Sequence, residues 1–335
     1  MRKYIPLLAL SFLFFGCGLF AEKKEEKKVE TKKPPERGVS DWDARIGGGD
    51  KPGEVSHADR IGAASIGTLA MGGPSTSPKV ADFIADPSLQ VRQKAVETLV
   101  GWGKEAEPAI PKLFDHLRNV DAGIRAAAAE TLARMGSKKA EKGLEHAEKD
   151  KSPEVKVWGH AGLSKIEGDC QDHLEEIAEI LKSGKMQKPG AAADAMLLLN
   201  CASEDAIADL IDAFKSADDE AQRAAAARAI GNIGPKAAAA VPVLMGALGE
   251  KGFRIRVAAL LALAKMGPKA APAVALLAEI LKDPAPRFRE LAAHALGEIG
   301  PAAKSAEGPL KKAANDPEGT VQAAAKRALH KILGK

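Results

Sequence analysis

The sequence predicts an all-α protein: an α-solenoid of about eight two-helix repeats, closed by a terminal capping helix. Three observations predict it. A unit of about 33 residues recurs from residue 61 to the end, headed by Ile61, Val91, Ile124, Val155, Pro189, Gln222, Ile255, Phe288 and Val321. A fixed period of this length means stacked supersecondary units that share one continuous core. Within a unit the apolar residues follow a helical period, as in Val91, Ala95, Leu99 and Trp102 at spacings of four, four and three. Twelve or thirteen residues after the head stands a glycine in most units: Gly73, Gly103, Gly136, Gly168, Gly234, Gly267, Gly300 and Gly334. Glycine ends a helix in the left-handed region, and a following proline opens the next segment. The fifth unit departs from the rule and puts Cys201 in the glycine position.

The chain divides into three parts: residues 1–17, 18–56 and 57–335. Arg2 and Lys3 precede a mostly apolar run from Tyr4 to Phe15. Twelve residues are too few to span a bilayer, which takes about 20, and the layout is that of an export signal. Glu22 to Arg60 then carries ten basic and ten acidic residues with little to bury, the composition of a disordered tether. Trp42 is its one large aromatic, placed to cap the first repeat or to make a loose contact.

Inside the repeats, a first helix rich in alanine (Ala126 to Ala129, Ala224 to Ala227) lets neighbouring helices approach closely. Second helices are expected over Pro108 to Arg118, Gln171 to Lys182, Glu204 to Lys215, Ala240 to Leu248 and Ala271 to Lys282. Turns at Asp86-Pro87, Ser152-Pro153, Asp283-Pro284 and Asp316-Pro317 close the units. Lys326, Arg327, Lys331 and Lys335 give the last helix the polar outer face of a cap.

Two resemblances follow from particular residues. The run ending Phe14-Phe15-Gly16-Cys17 resembles a bacterial lipoprotein signal, departing from it at Phe14, where leucine is usual. That resemblance implies lipidation of Cys17 and a chain anchored in a bacterial cell envelope, facing periplasm or exterior. Gly18 in place of an aspartate leans towards the outer membrane. The pattern Asp-Pro-x-x-x-Val/Phe-Arg, then Ala-x-x-x-Leu, then Ile/Met-Gly-Pro resembles the short HEAT-like repeats named for bilin lyases. It is strongest in the last four units and weakest over Pro189 to Ala202. It implies a right-handed superhelix, monomeric and non-catalytic, that holds protein partners along its inner curve. A minority of relatives handle cofactors or are iron hydroxylases built on His-Glu dipeptides. This chain has only Glu145-His146, in reverse order, so an oxidoreductase or lyase is the alternative reading and a plain envelope spacer a third.

Several residue sets carry specific expectations. Arg92, Arg125, Lys156, Arg256 and Arg289 recur at one repeat position; they form either a basic stripe for an anionic ligand or, as Asp86 and Asp283 suggest, a structural ladder in which each cation meets the turn carboxylate of its own or a neighbouring unit. Residues 167–220 hold fourteen acidic against four basic side chains, whereas 251–335 hold fifteen basic against seven acidic. Asp172, Glu175, Glu176, Glu179, Asp205, Asp209 and Asp212 lie on second helices, which the family resemblance places on the inner curve. They form either an acidic face for a basic partner or a solvated polar face. Cys170 and Cys201 are either a disulfide between consecutive units or, for Cys201, a small buried thiol. The seven histidines occupy unlike repeat positions with no His-x-x-x-His pair, so no metal and no cofactor are expected. One tyrosine and a net charge of +4 argue against nucleic acid.

Overall fold

The computed structural model describes residues 56–199, 203–217 and 219–334. The expected export signal, residues 18–55 of the expected tether, Trp42 and Lys335 lie outside them. Among the described residues every regular element is helical. The first four helix pairs are α1 (His57–Met71) with α2 (Ser77–Asp82), α3 (Leu89–Trp102) with α4 (Ile110–His116), α5 (Ala122–Met135) with α6 (Glu141–Glu148), and α7 (Pro153–Glu167) with α8 (Gln171–Lys182). The next four are α9 (Gly190–Met196) with α10 (Glu204–Ser216), α11 (Glu220–Ile233) with α12 (Val241–Ala247), α13 (Phe253–Met266) with α14 (Val274–Ile280), and α15 (Pro286–Ile299) with α16 (Glu307–Ala313). A single helix, α17 (Gly319–Leu333), closes the stack.

The repeat positions become layers of the core. Leu99, Leu132, Ile230, Leu263 and Leu296 on first helices are fully buried, and so are Leu113, Leu144, Leu210, Leu244, Leu277 and Leu310 on second helices. Burying each such side chain contributes about 1.5–3 kcal/mol before entropy is counted. Ile61 heads α1 at the equivalent of Val91, yet it is 55% exposed where Val91 is 1%, because no described helix stacks on its outer side. First helices approach closely through small residues. A Cβ on Gly231 would stand 2.8 Å from the Ala262 Cα, and one on Gly297 would stand 2.9 Å from the Ala328 Cα.

All eight repeat glycines have positive φ, from 55° at Gly267 to 81° at Gly168. Six of them fall into two groups. Gly136, Gly168 and Gly334 adopt the ordinary left-handed cap. Gly234, Gly267 and Gly300 keep φ positive but swing ψ to between −134° and −142°, where only glycine is comfortable. The proline that follows each of them disfavours the helical ψ, although Gly103, followed by Lys104, adopts the same conformation at φ 56° and ψ −128°. The chain therefore enters a 3-10 segment (Gly234–Ala240, Gly267–Ala273, Gly300–Ala306) before the α-helical second helix begins. The α-helical second helices therefore begin at Val241, Val274 and Glu307, so the spans expected from Ala240 and Ala271 start one and three residues late.

The stretch Phe253–Ile280 is long and apolar enough to cross a membrane by composition, but it is half buried and broken at Gly267. It is a solenoid helix pair. The fifth unit differs from its neighbours: α9 has seven residues where other first helices have 14 or 15.

Candidate functional site

The turns between units are built alike. Asp86, Asp150, Asp283 and Asp316 each accept a bond from the backbone N–H two residues on, at 2.7–3.0 Å, the self-capping that aspartate offers a turn. After Asp86 and Asp283 an arginine from the following first helix reaches the turn, and after Asp316 the Gln322 side chain takes that place. Arg92 donates to the carbonyls of Asp86 (2.7 Å) and Pro87 (3.0 Å). Arg289 does the same to Asp283 and Pro284. The carboxylate partner comes from the turn one unit ahead: Arg125 with Asp150 at 2.8 Å, Arg256 with Asp283 at 2.5 Å and Arg289 with Asp316 at 2.8 Å. Asp86 therefore serves Arg92 through its backbone carbonyl and not through its carboxylate, which corrects the expected pairing. Arg223 joins the ladder through two bonds to Glu250, of 2.8 and 2.6 Å. Sequence reading missed it, although it follows the head residue Gln222 as Arg256 follows Ile255. The turn ahead of Lys156, Ser183-Gly184-Lys185, has no carboxylate to offer. The guanidinium of Arg256 also lies 3.7 Å from the centre of the Phe288 ring.

The acidic residues occupy two matched stripes. Asp172, Glu176 and Glu179 recur at i, i+4 and i+7 on α8, and Asp205, Asp209 and Asp212 occupy the positions 33 residues later on α10. The next second-helix segment carries Ala238, Pro242 and Met245 there, so the face is two repeats wide. Lys182 of α8 bridges the stripes, 2.5 Å from Asp209 and 3.6 Å from Asp212. Glu175 turns to the neighbouring unit and accepts a bond from the Ser203 hydroxyl, while that hydroxyl also caps α10 at the Ala206 N–H. Asp172, Glu176, Glu179 and Asp205 are exposed and form no ion pair among the described residues. Four carboxylates so placed keep a local negative field that one lysine does not cancel.

Cys170 precedes α8 and is disulfide-bonded; Cys201, its expected partner, lies outside the described residues. Trp158 is buried in the core and Trp102 packs against it. At the end of the chain, an open hollow of about 470 Å³ lies over Lys326, Arg327, His330 and Lys331 on α17.

Helix packing also gathers residues that sequence spacing does not connect. Glu148 at the end of α6, His160 in α7 and His173 in the first turn of α8 offer ligand atoms that all lie within 4.8 Å of one another. The two imidazole Nδ1 atoms are 3.2 Å apart. Burial first, and then the neighbouring His173, push the His160 imidazole down to about 4. The Nε2 of His173 faces the Glu167 carboxylate at 3.5 Å. The expectation of no metal-binding constellation came from spacing along the chain alone, and these residues meet only across three helices.

With this geometry in place, comparison with known proteins gives the following. A family model described as HEAT repeats matches residues 76–164 and 207–276, leaving out between them the stretch that holds α8 and the short α9. No curated protein matches significantly. Among solved structures, an engineered protein is 22% identical with a TM-score of 0.42, covering 68% of this chain and 99% of its own. Human deoxyhypusine hydroxylase in complex with glycerol is 23% identical with a TM-score of 0.33, covering 79% and 99%. Kap95p, in a complex with RanGDP, is 13% identical with a TM-score of 0.44 and covers 83% of this chain and 42% of its own.

Proposed function

Starting from a chain that carries HEAT repeats, we propose that it is a non-catalytic scaffold that docks a basic protein partner on the α8–α10 face. The observation that carries this reading is the pair of stripes ending in Asp172, Glu176, Glu179 and Asp205, exposed and confined to two repeats. A rigid stacked surface presents these charges at fixed spacing, so a partner with lysines or arginines at a matching interval gains on-rate and register. The ladder arginines do not compete, because their guanidinium groups are engaged with the turns.

The anchor belongs to the same proposal. Phe14-Phe15-Gly16-Cys17 supports attachment of lipid at Cys17 in a bacterial envelope, and the charged stretch that follows supplies a spacer between membrane and solenoid.

In-cell crosslinking of tagged full-length protein, with mass spectrometry of its N-terminus and of whatever is captured, tests both parts. Diacylglycerol on Cys17 with crosslinks clustered on residues 167–220 is the expected result. The docking reading fails if the quadruple charge reversal Asp172→Lys, Glu176→Lys, Glu179→Lys and Asp205→Lys captures the same partner with the same yield. An unmodified N-terminus removes the anchor.

A further inference from the structure

The meeting of Glu148, His160 and His173 has a local cause. Gly159, one residue before His160, lies against the backbone of α6: a Cβ there would stand 2.3 Å from the Glu148 N and 2.7 Å from its Cα. Only glycine allows α7 to sit so close, and that approach brings His160 beside the last residue of α6. Cys170 opens α8, and three residues later His173 faces the same point.

The nitrogen–nitrogen distance is that of a coordination shell. Two nitrogens each about 2.0–2.1 Å from a tetrahedral ion stand about 3.3–3.4 Å apart, and the Nδ1–Nδ1 separation is 3.2 Å. A carboxylate oxygen completes a two-histidine, one-carboxylate set whose ligand atoms all lie within 4.8 Å of one another. Glu167 sits behind His173 on the opposite ring nitrogen, the place of an outer carboxylate that fixes the tautomer of a ligating histidine. Lys149 approaches one oxygen of Glu148 at 3.1 Å, but its side chain is 75% exposed and free to move into solvent.

We propose that Glu148, His160 and His173 bind one divalent ion of the zinc class. Three protein ligands leave a fourth position for water or another donor atom. The ion would cross-link the second helix of the third repeat to both helices of the fourth. It would also place positive charge one residue along α8 from Asp172, the first residue of the acidic stripe, and so tune that face. The competing explanation is a plain hydrogen bond between two neutral imidazoles.

Chelator-treated full-length protein, titrated with Zn²⁺ by calorimetry and with Co²⁺ by visible absorption, separates the two. One ion per chain, a four-coordinate Co²⁺ spectrum and a zinc-dependent rise in melting temperature are expected. His160→Phe and His173→Gln should each weaken binding by more than about tenfold, Glu167→Gln by about tenfold, and His294→Gln not at all. Circular dichroism checks that each variant folds. His173→Gln, at the half-buried rim, serves if His160→Phe does not. Absence of saturable binding, or binding that His173→Gln leaves unchanged, overturns the site.

Discussion

Arg125 holds Asp150 through two parallel bonds, Nε to Oδ2 at 2.8 Å and Nη2 to Oδ1 at 2.9 Å. Its remaining nitrogen donates to the carbonyls of Asn119 and Val120. One guanidinium thus ties the turn before its own repeat to the turn after it, with both side chains less than a tenth exposed. Only the planar fork of arginine can do this. Arg125→Met should cost about 2–4 kcal/mol, because it leaves the Asp150 carboxylate desolvated without its cation. Arg125→Lys should cost less but should not restore the loss. Urea denaturation at neutral pH measures both, and a change of under about 0.5 kcal/mol for Arg125→Met would assign the ladder no structural weight.

The same pair sets an acid limit. Burial pushes the Asp150 carboxyl up, but the bonds from Arg125 and from the Ser152 N–H outweigh it, so its pKa lies below the ordinary 3.8. The stabilisation is therefore fully present above that value and is lost as pH falls through the lower, folded one. Arg125→Met should flatten this part of the stability–pH curve. An unchanged acid slope in the variant would remove Asp150 as a source of it.

Glycines in helices divide by what surrounds them. Gly297 faces the Ala328 backbone of α17, so Gly297→Ala forces two first helices apart and should cost about 1–3 kcal/mol. Gly308 in α16 faces open space, and there alanine removes unfolded-chain entropy. Gly308→Ala should be neutral or stabilise by about 0.4–1 kcal/mol. Thermal melts of the two variants should move in opposite directions, and equal destabilisation would contradict close helix approach as the cause.

The period, the two helices per unit and the eight glycine stops were legible because each is written within one repeat and copied into the next. Arg223 was readable in the same way, one place after the head residue Gln222, as Arg256 follows Ile255. The 3-10 segments were not legible: Gly-Pro marks a stop, yet it does not say whether the next turn closes three or four residues back. Glu148, His160 and His173 escaped for a different reason. They are 12 and 13 residues apart, on three helices, and no repeat-to-repeat copying announces them. What brings them together is the missing side chain of Gly159, which is a fact of packing. The acidic stripes lie between these cases, since the charges and their 33-residue offset were visible but the bridge from Lys182 to Asp209 was not.

His116 at the end of α4 is buried, and its Nε2 lies 3.0 Å from the Ala81 carbonyl on α2, which makes Nε2–H the donor. Burial lowers its pKa from the ordinary 6.5, although the bond to Ala81 opposes the shift. Folding thus favours the neutral ring, and the unfolded chain binds the extra proton first. The stability His116 contributes is complete above pH 6.5 and declines as pH drops below it. His116→Gln keeps a donor without the titration. It should lose about 1 kcal/mol at neutral pH and show a shallower decline between neutral and mildly acid pH. A decline as steep as that of the unaltered protein would point to other groups.

The fifth unit is where the stack should open first. Its first helix, α9, has seven residues, and its partner α10 is held to α8 by Lys182 with Asp209 and by Ser203 with Glu175. The disulfide at Cys170 lies beside it. Peptide mapping without reductant should join Cys170 to Cys201, closing a loop of about 30 residues worth roughly 3–4 kcal/mol in chain entropy. Reduction should then raise amide exchange in residues 190–199 and leave α13 and α15 protected, because repeats bind mainly to their neighbours. If reduction instead loosens all the repeats together, the solenoid unfolds as one unit and the fifth repeat is no weak point. If Cys170 maps to another cysteine, the clamp on α9 is lost from the account altogether.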